Sequence, residues 1–417
     1  MSKWPVTTLH NKIFIKHGFP FKSEYFSESG DYIVLTPGNF FEAGGFKRQA
    51  GKEKFYTGKI PKEYLHKKGD LIVAMTEQAE GLLGSCARVP ESEVYLHNQR
   101  LGLISTDTRL VTKEYIYHLF KTKTVREQLR LTSSGSKVKH TSPERIYNVQ
   151  VPLPEVETQK RITKLLDTIE EKIELNNRIN AELEAMAKTL YDYWFVQFDF
   201  PDANGKPYKS SGGKMVYNEA LKRNIPVEWS VNNLKEITPV SNESITPKDH
   251  PEALFRHFSI PVFDSTQTYG VECGSSIGSN KFKVNGSDLL VSKLNPWFSR
   301  VIYALEEDDQ ICSTEFVVWR TNSDSIKNFL YQIATSGQFI SYCTQSATGT
   351  SNSHKRVNPT VMMQFKFPFC ADIATAYGEK IDSALKEIMS NKKQNKQLVE
   401  LRDWLLPMLM NGQVKVQ

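Results

Sequence analysis

ITKLLDTIEEKIELNNRINAELEAMAKTLYDYW (residues 162–194) is the stretch on which the reading of this chain turns. Stepping alternately four and three residues visits Ile162, Leu166, Ile169, Ile173, Asn176, Asn180, Leu183, Ala187, Leu190 and Trp194. That spacing marks an apolar seam along one long helix. The seam returns 215 residues later as Tyr377, Ile381, Ala384, Ile388, Asn391, Asn395, Leu398, Arg402, Leu405 and Leu409, with both asparagines in the same slots. Asn in such a seam weakens pairing but fixes its register, because a slipped partner leaves the amide without a hydrogen bond. The repeat therefore predicts two helices that pair with each other. At about 1.5 Å per residue each seam is roughly 50 Å long, so two globular units on this rod would be held at a set separation.

The plainer alternative, two unrelated amphipathic helices with surface asparagines, fails to explain why the repeat continues outside them. Trp4 and Leu9 correspond to Trp229 and Leu234, and residues 70–73 (DLIV) to residues 288–291 (DLLV). The loop SSGSKVKHTSPERI (residues 133–146) is answered by ATGTSNSHKRVNPTV (residues 347–361), Gly135 matching Gly349 and Pro143 matching Pro359. VQVPLP before the first long helix is answered by FKFPF before the second. DYIVLTPGNF (31–40) and GDLIVAM (69–75) read as strands, residues 113–129 as a helix, and residues 198–215, rich in Gly, Pro, Ser and Lys, as a surface connection. The expected organisation is α+β with two pseudo-repeated units joined by an antiparallel coiled coil. The units are residues 1–154 and 229–370, with helices at 155–197 and 371–417 and a linker at 198–228.

Composition is that of a globular protein, 39% hydrophobic and 24% charged over 417 residues. The five cysteines are scattered without a C-x-x-C pair, which argues against a disulfide framework or zinc site and fits a reducing cytoplasm. No signal peptide or membrane span is legible. The formal charge is only +6, but residues 46–68 hold eight basic side chains against two acidic ones, and residues 121–145 seven against two. Such patches suit a polyanion. The candidate DNA contacts are Lys47, Arg48, Lys52 and Lys54, then Lys137, Lys139 and His140 in the first glycine loop. In the second half they are Lys293, Arg300, Asn352, His354, Lys355 and Arg356. Each is as readily a solvated surface residue; the repeated loop raises the group above its members.

KHGFPFKSEYF (16–26), VPLPEVETQKRITKLLDTIEEKIELNNRINAELEAMAKTLYDYWF (151–195), the following FDF with GGKMVYNEALKRNIPVEW (212–229), and LLPMLMNGQV (405–414) together resemble the specificity subunit of a type I DNA restriction and modification system. The resemblance covers essentially the whole chain. Its Q-x-x-I element, Gln159 and Ile162, has Ala374 in place of the glutamine in the second copy. The resemblance implies two recognition domains, each reading one half of a bipartite duplex DNA target, and helices that set the unread spacer. It further implies docking of two methyltransferase subunits, with nuclease and translocase subunits joining. S-adenosylmethionine, ATP and Mg would serve those partners, and this chain would hold no cofactor or metal.

Catalytic motifs in the chain are incomplete. LNPWF (294–298) is similar to the N-P-P-F tetrapeptide of adenine methyltransferases, but Trp297 replaces the second proline and no F-x-G-x-G loop precedes it. It reads better as a turn with an aromatic anchor. No phosphate-binding G-x-x-x-x-G-K-[ST] loop occurs, and Glu170-Glu171-Lys172 reads as an exposed helical charge cluster. The competing functions are a stand-alone DNA methyltransferase or nuclease, and a noncatalytic pseudo-symmetric protein-interaction scaffold.

Overall fold

The computed structural model describes residues 3–77, 80–136, 138–349 and 354–416. They form two compact units, Met1–Lys172 with Leu398–Gln417, and Ile173–Gln397. Both mix helix and sheet, and both contain part of each long helix, Val156–Tyr191 and Ala371–Met410. Among the described residues no helix is long and apolar enough to cross a membrane.

In the first unit the apolar run after Asp70 is the strand Leu71–Ala74, inside an antiparallel sheet ordered Ile13–His17, Leu101–Thr106, Leu71–Ala74, Cys86–Arg88. Leu71 and Val73 enter one apolar cluster while Ile72 and Ala74 enter another. Burial on both faces explains why the strand lacks polar alternation. The first cluster also contains Ile162 and Leu166 from one long helix and Leu406, Leu409 and Met410 from the other, so both helices are part of this unit's core. Val151–Pro152, in the segment before the first long helix, pairs with Val6–Thr7. Residues 113–129, expected to be one helix, form two, Lys113–Leu119 and Lys123–Leu131. The cause is Thr122, whose side chain accepts from the Val125 amide and so starts a new helix.

The second unit has a sheet with the same order of equivalent strands: Val240–Ser241, Phe316–Arg320, Asp288–Ser292, Val301–Tyr303. Leu289 and Val291 enter one cluster and Leu290 another. Lys366–Phe369, before the second long helix, pairs with Ser230–Asn233. The two units differ in their second sheets. The first has four strands; the second has five, with the helix Ile260–Thr266 inserted before an added edge strand, Gly270–Cys273.

Every seam position named from sequence is buried or half-buried, while its helical neighbours are largely exposed. Within the second unit, the Asn176 amide donates to Gln394 Oε1 at 2.8 Å and Asn395 Oδ1 at 2.9 Å. Asn391 donates to Asn180 Oδ1 at 3.0 Å, and Asn395 to Asn177 Oδ1 at 2.8 Å. As numbers rise along one helix they fall along the other, so the two run antiparallel there.

Residues 198–228, expected to be a surface linker, are anchored by their buried ends, residues 198–200 and 225–226, while the stretch between them stays largely exposed. Phe198 and Phe200 are buried, Phe200 stacks between Tyr208 and Trp229, and Met215–Asn218 forms a hairpin with Arg223–Pro226. The aromatic residues at 198 and 200 supply the apolar area that anchors the start of a segment whose remaining composition is loop-like.

Single polar residues fasten the sheet units to the helices. Fully buried Gln159 accepts from the Thr112 amide at 2.9 Å and donates to Leu110 O at 3.0 Å and Pro154 O at 2.8 Å. In the second unit Asn328 accepts from the Tyr303 hydroxyl and donates to Gly378 O at 3.0 Å and Asp382 Oδ1 at 3.1 Å. A Cβ on Gly378 would lie 1.9 Å from Ser325 O, so the helix Asp324–Ala334 and the second long helix meet there only because residue 378 has no side chain. Gly378→Ala should therefore lower stability by about 2–3 kcal/mol, read as a lower melting temperature. The gain of up to about 1 kcal/mol that Ala brings to an open helix position would show instead if the contact were slack.

Buried Lys327 donates to Gly286 O at 2.6 Å and Ala304 O at 2.5 Å. Burial pushes its ammonium down to about 7. Because the unfolded chain keeps this proton up to about pH 10.4, the group's contribution to stability should rise as pH increases from about 7 toward that value. Lys327→Met should flatten that rise in urea unfolding measured across the range.

Candidate nucleic-acid interface

In each unit the glycine-bearing loop is laced to the end of a central strand by backbone pairing. In the first, His140 bridges to both Thr76 and Ser134, its ring Nδ1 lies 3.2 Å from Thr76 Oγ1, and the Glu77 amide donates to Lys139 O at 2.9 Å. In the second, Arg356 bridges to both Leu294 and Thr348, and Asn295 exchanges hydrogen bonds with the Lys355 backbone, 2.8 Å to the carbonyl and 3.0 Å from the amide. Each glycine leaves room for backbone across its own loop: a Cβ on Gly135 (φ +99°) would lie 2.1 Å from Val138 O, and one on Gly349 2.6 Å from His354 O. Each loop then runs into a short helix opened by a capped proline, Ser142-Pro143 and Asn358-Pro359.

The candidates named from sequence divide among these features. Lys139 and His140 stand together on the first loop; His354, Lys355 and Arg356 stand on the second, with Lys293 joined to it through the Val357 amide. Lys137 and Asn352 lie outside the described residues. Lys47, Arg48, Lys52 and Lys54 are exposed on a separate segment of the first unit, with no hydrogen bond to the glycine loop among the described residues. The three arginines are already engaged. Arg48 pairs with Glu91. Arg300 holds Asp264 through Nε and Nη2 at 2.6 and 2.8 Å, and Arg356 holds Glu315 the same way at 2.9 and 3.1 Å.

LNPWF forms a tight 3-10 turn in which Pro296 is the buried residue; Trp297 and Phe298, expected to anchor it, are 38% and 58% exposed. The helix Gly337–Ser346 packs on this turn.

Glu170 corrects another expectation. It is half-buried, 2.5 Å from Lys121 Nζ and 3.8 Å from Arg402, whereas Glu171 and Lys172 are exposed. One turn earlier Asp167 receives His118 Nε2 at 2.7 Å and Arg88 at 2.9 Å. His118, Asp167 and Glu170 thus gather three metal-type ligand atoms that sequence spacing concealed. Arg88 and Lys121 already neutralise the two carboxylates, so the donor set fits an internal charge network rather than a cation site. Burial alone would raise both carboxyls, but the His118 and Arg88 contacts on Asp167, and Lys121 with His118 around Glu170, hold them below the ordinary carboxylate range. Burial lowers His118, leaving a neutral ring that donates through Nε2.

The family model described as "Type I restriction modification DNA specificity domain" matches residues 1–185. The type I restriction enzyme MjaIX specificity subunit of Methanocaldococcus jannaschii is 26% identical over 320 residues, 74% of this chain and 70% of that protein. The HindI specificity subunit of Haemophilus influenzae is 21% identical over 376 residues, 77% and 81% of the two chains. The crystal structure of a type I restriction-modification S subunit from M. genitalium shares the fold with a TM-score of 0.60 at 13% identity, covering 98% of this chain and 96% of that one.

The charge network should make the first unit acid-labile. Carboxylates whose protonation is suppressed by folding stabilise at neutral pH, and that contribution disappears as pH falls through and below about 4. Asp167→Asn should cost about 2–4 kcal/mol at pH 7 and remove part of the acid slope in urea unfolding.

Proposed function

We infer that this chain, a member of the type I restriction-modification DNA specificity family, is the subunit that tells such a complex which DNA sequence to act on. The observation that carries the reading is the twice-built junction of strand end and glycine loop, which presents Lys139 with His140 in one unit and Lys355 with Arg356 in the other. Long donors on a loop of fixed geometry suit base edges and phosphates of a duplex. Residues 1–154 and 229–370 are the two recognition domains, each reading one half of a split target. The seams, with helices at 155–197 and 371–417, act as an antiparallel coiled-coil spacer and dock two methyltransferase subunits; residues 198–228 connect the halves.

In this reading the chain is noncatalytic and cytoplasmic. It directs the methyltransferases to one adenine in each half-site, and these partners extrude the base and use S-adenosylmethionine. Restriction and translocase subunits add ATP- and Mg-dependent cleavage. Modified-base sequencing of DNA from a methylation-free host expressing this chain with its methyltransferase subunit tests the proposal. A split adenine-methylated motif that vanishes when this chain is omitted is the expected result. No motif from a stable complex would remove the specificity reading.

Deleting one heptad from each seam keeps both seams in phase and removes about 10 Å of helix, which corresponds to about three base pairs at 3.4 Å each. The recovered motif should keep both half-sites and lose about three unread base pairs. An unchanged spacer would refute the ruler.

A further inference from the structure

We propose that Trp297 and Phe298 form an aromatic wedge that stacks into a base step of the DNA half-site met by the second unit, so that this half-site is read partly through its deformability. The proposal rests on the specificity reading above and adds residues that it does not use.

Two large rings stand adjacent and exposed, 38% and 58%, on a turn held by specific contacts on either side. Its flanking residues are both in the left-handed region without being glycine: Asn295 at φ 48° and Ser299 at φ 49°. Backbone of this kind costs free energy and persists where neighbouring contacts over-determine it, a pattern that concentrates at functional positions. Here those contacts are the exchange of hydrogen bonds between Asn295 and the Lys355 backbone. Arg300 adds a second hold, with its guanidinium 4.5 Å from the Phe298 ring centre and its fork on Asp264. Burying the rings would have been the favourable outcome for 3-10 turn residues of this size; the turn instead displays them.

Charge selects the occupant. The rings share a rigid support with the loop carrying Lys355 and Arg356, and with Lys293 at the strand end. The side chains of Lys293 and Lys355 make no ion pair among the described residues. Aromatic rings on the same backbone support as ammonium groups suit stacked bases flanked by phosphates; an apolar protein partner that covered those ammonium groups would have to desolvate them without compensation. The corresponding stretch of the first unit, MTEQAEG (residues 75–81), contains no aromatic residue. The wedge therefore acts at one half-site, and the other is an internal control.

The test uses the full chain assembled with its methyltransferase subunit and a duplex carrying the split motif recovered by modified-base sequencing. 2-Aminopurine is placed at successive positions of each half-site other than the methylated adenine. Binding should raise its fluorescence several-fold at one step of the second unit's half-site. Trp297→Ala with Phe298→Ala should abolish that rise, weaken binding about ten-fold and leave the salt dependence unchanged, since no charge is lost. Trp297→Phe should restore most of the signal. A rise that survives the double substitution, or no rise at any step from a wild-type complex that binds and methylates its motif, overturns the wedge while sparing the specificity reading. So does a double variant that loses the methyltransferase subunit, because the rings would then be a protein contact. A wild-type complex that neither binds nor methylates a split motif overturns the specificity reading and the wedge together.

Discussion

Four amide hydrogen bonds between the long helices, made by Asn176, Asn391 and Asn395, are the constraint on which the rest of the chain depends. Apolar seam contacts are nearly degenerate under a one-heptad slide, since one Ile or Leu replaces another. Amides are not. A slide of seven residues would bring Asn176 against Ile388 and strand its donors in a buried position, at about 1–3 kcal/mol for each unsatisfied group. Because the helices also supply the cores of both units, Ile162, Leu166 and Leu409 in one and Tyr377, Ile381 and Ile388 in the other, a wrong register would spoil both cores as well.

The units solve the same packing problem with different chemistry. In the first, Gln159 and the Asp167–Glu170 network hold the sheet unit to the helix. In the second the residue at the Gln159 position is Ala374, buried and apolar, and the polar fastening has moved to Asn328 over the bare backbone of Gly378. An architecture can therefore repeat while its side chains drift, provided that each buried polar group has a partner somewhere. This is why the sequence repeat is clear in the seams and fades in the units.

The same distinction governs what could be read in advance. The seams were legible because a heptad is a local pattern, and the glycine loops because Gly135 and Gly349 sit where a Cβ would strike backbone. The break at Thr122 was hidden by helix-forming residues on either side of a capping threonine. The burial of Phe198 and Phe200 was hidden because loop-like composition outweighed two aromatic residues in the count. The meeting of His118 with Asp167 and Glu170 joins residues about fifty apart, and no spacing rule reports it. Among the site candidates, sequence marked the basic side chains but carried no sign of the acids that face them.

Those acids change how the candidate interface would discriminate. Lysines with no acidic partner among the described residues, such as Lys293 and Lys355, would offer a phosphate an attraction that is strong, salt-sensitive and indifferent to sequence. Arg48, Arg300 and Arg356 each begin with a carboxylate already in hand. A guanidinium so neutralised gains little from a passing phosphate, because it must first give up an equivalent partner. It gains more where a base edge meets its remaining donors in the orientation the carboxylate has preset, as guanine does with arginine. In the proposed interface, arginines that are paired beside lysines with no ion pair among the described residues would separate affinity from selectivity, weakening nonspecific binding more than binding at the target.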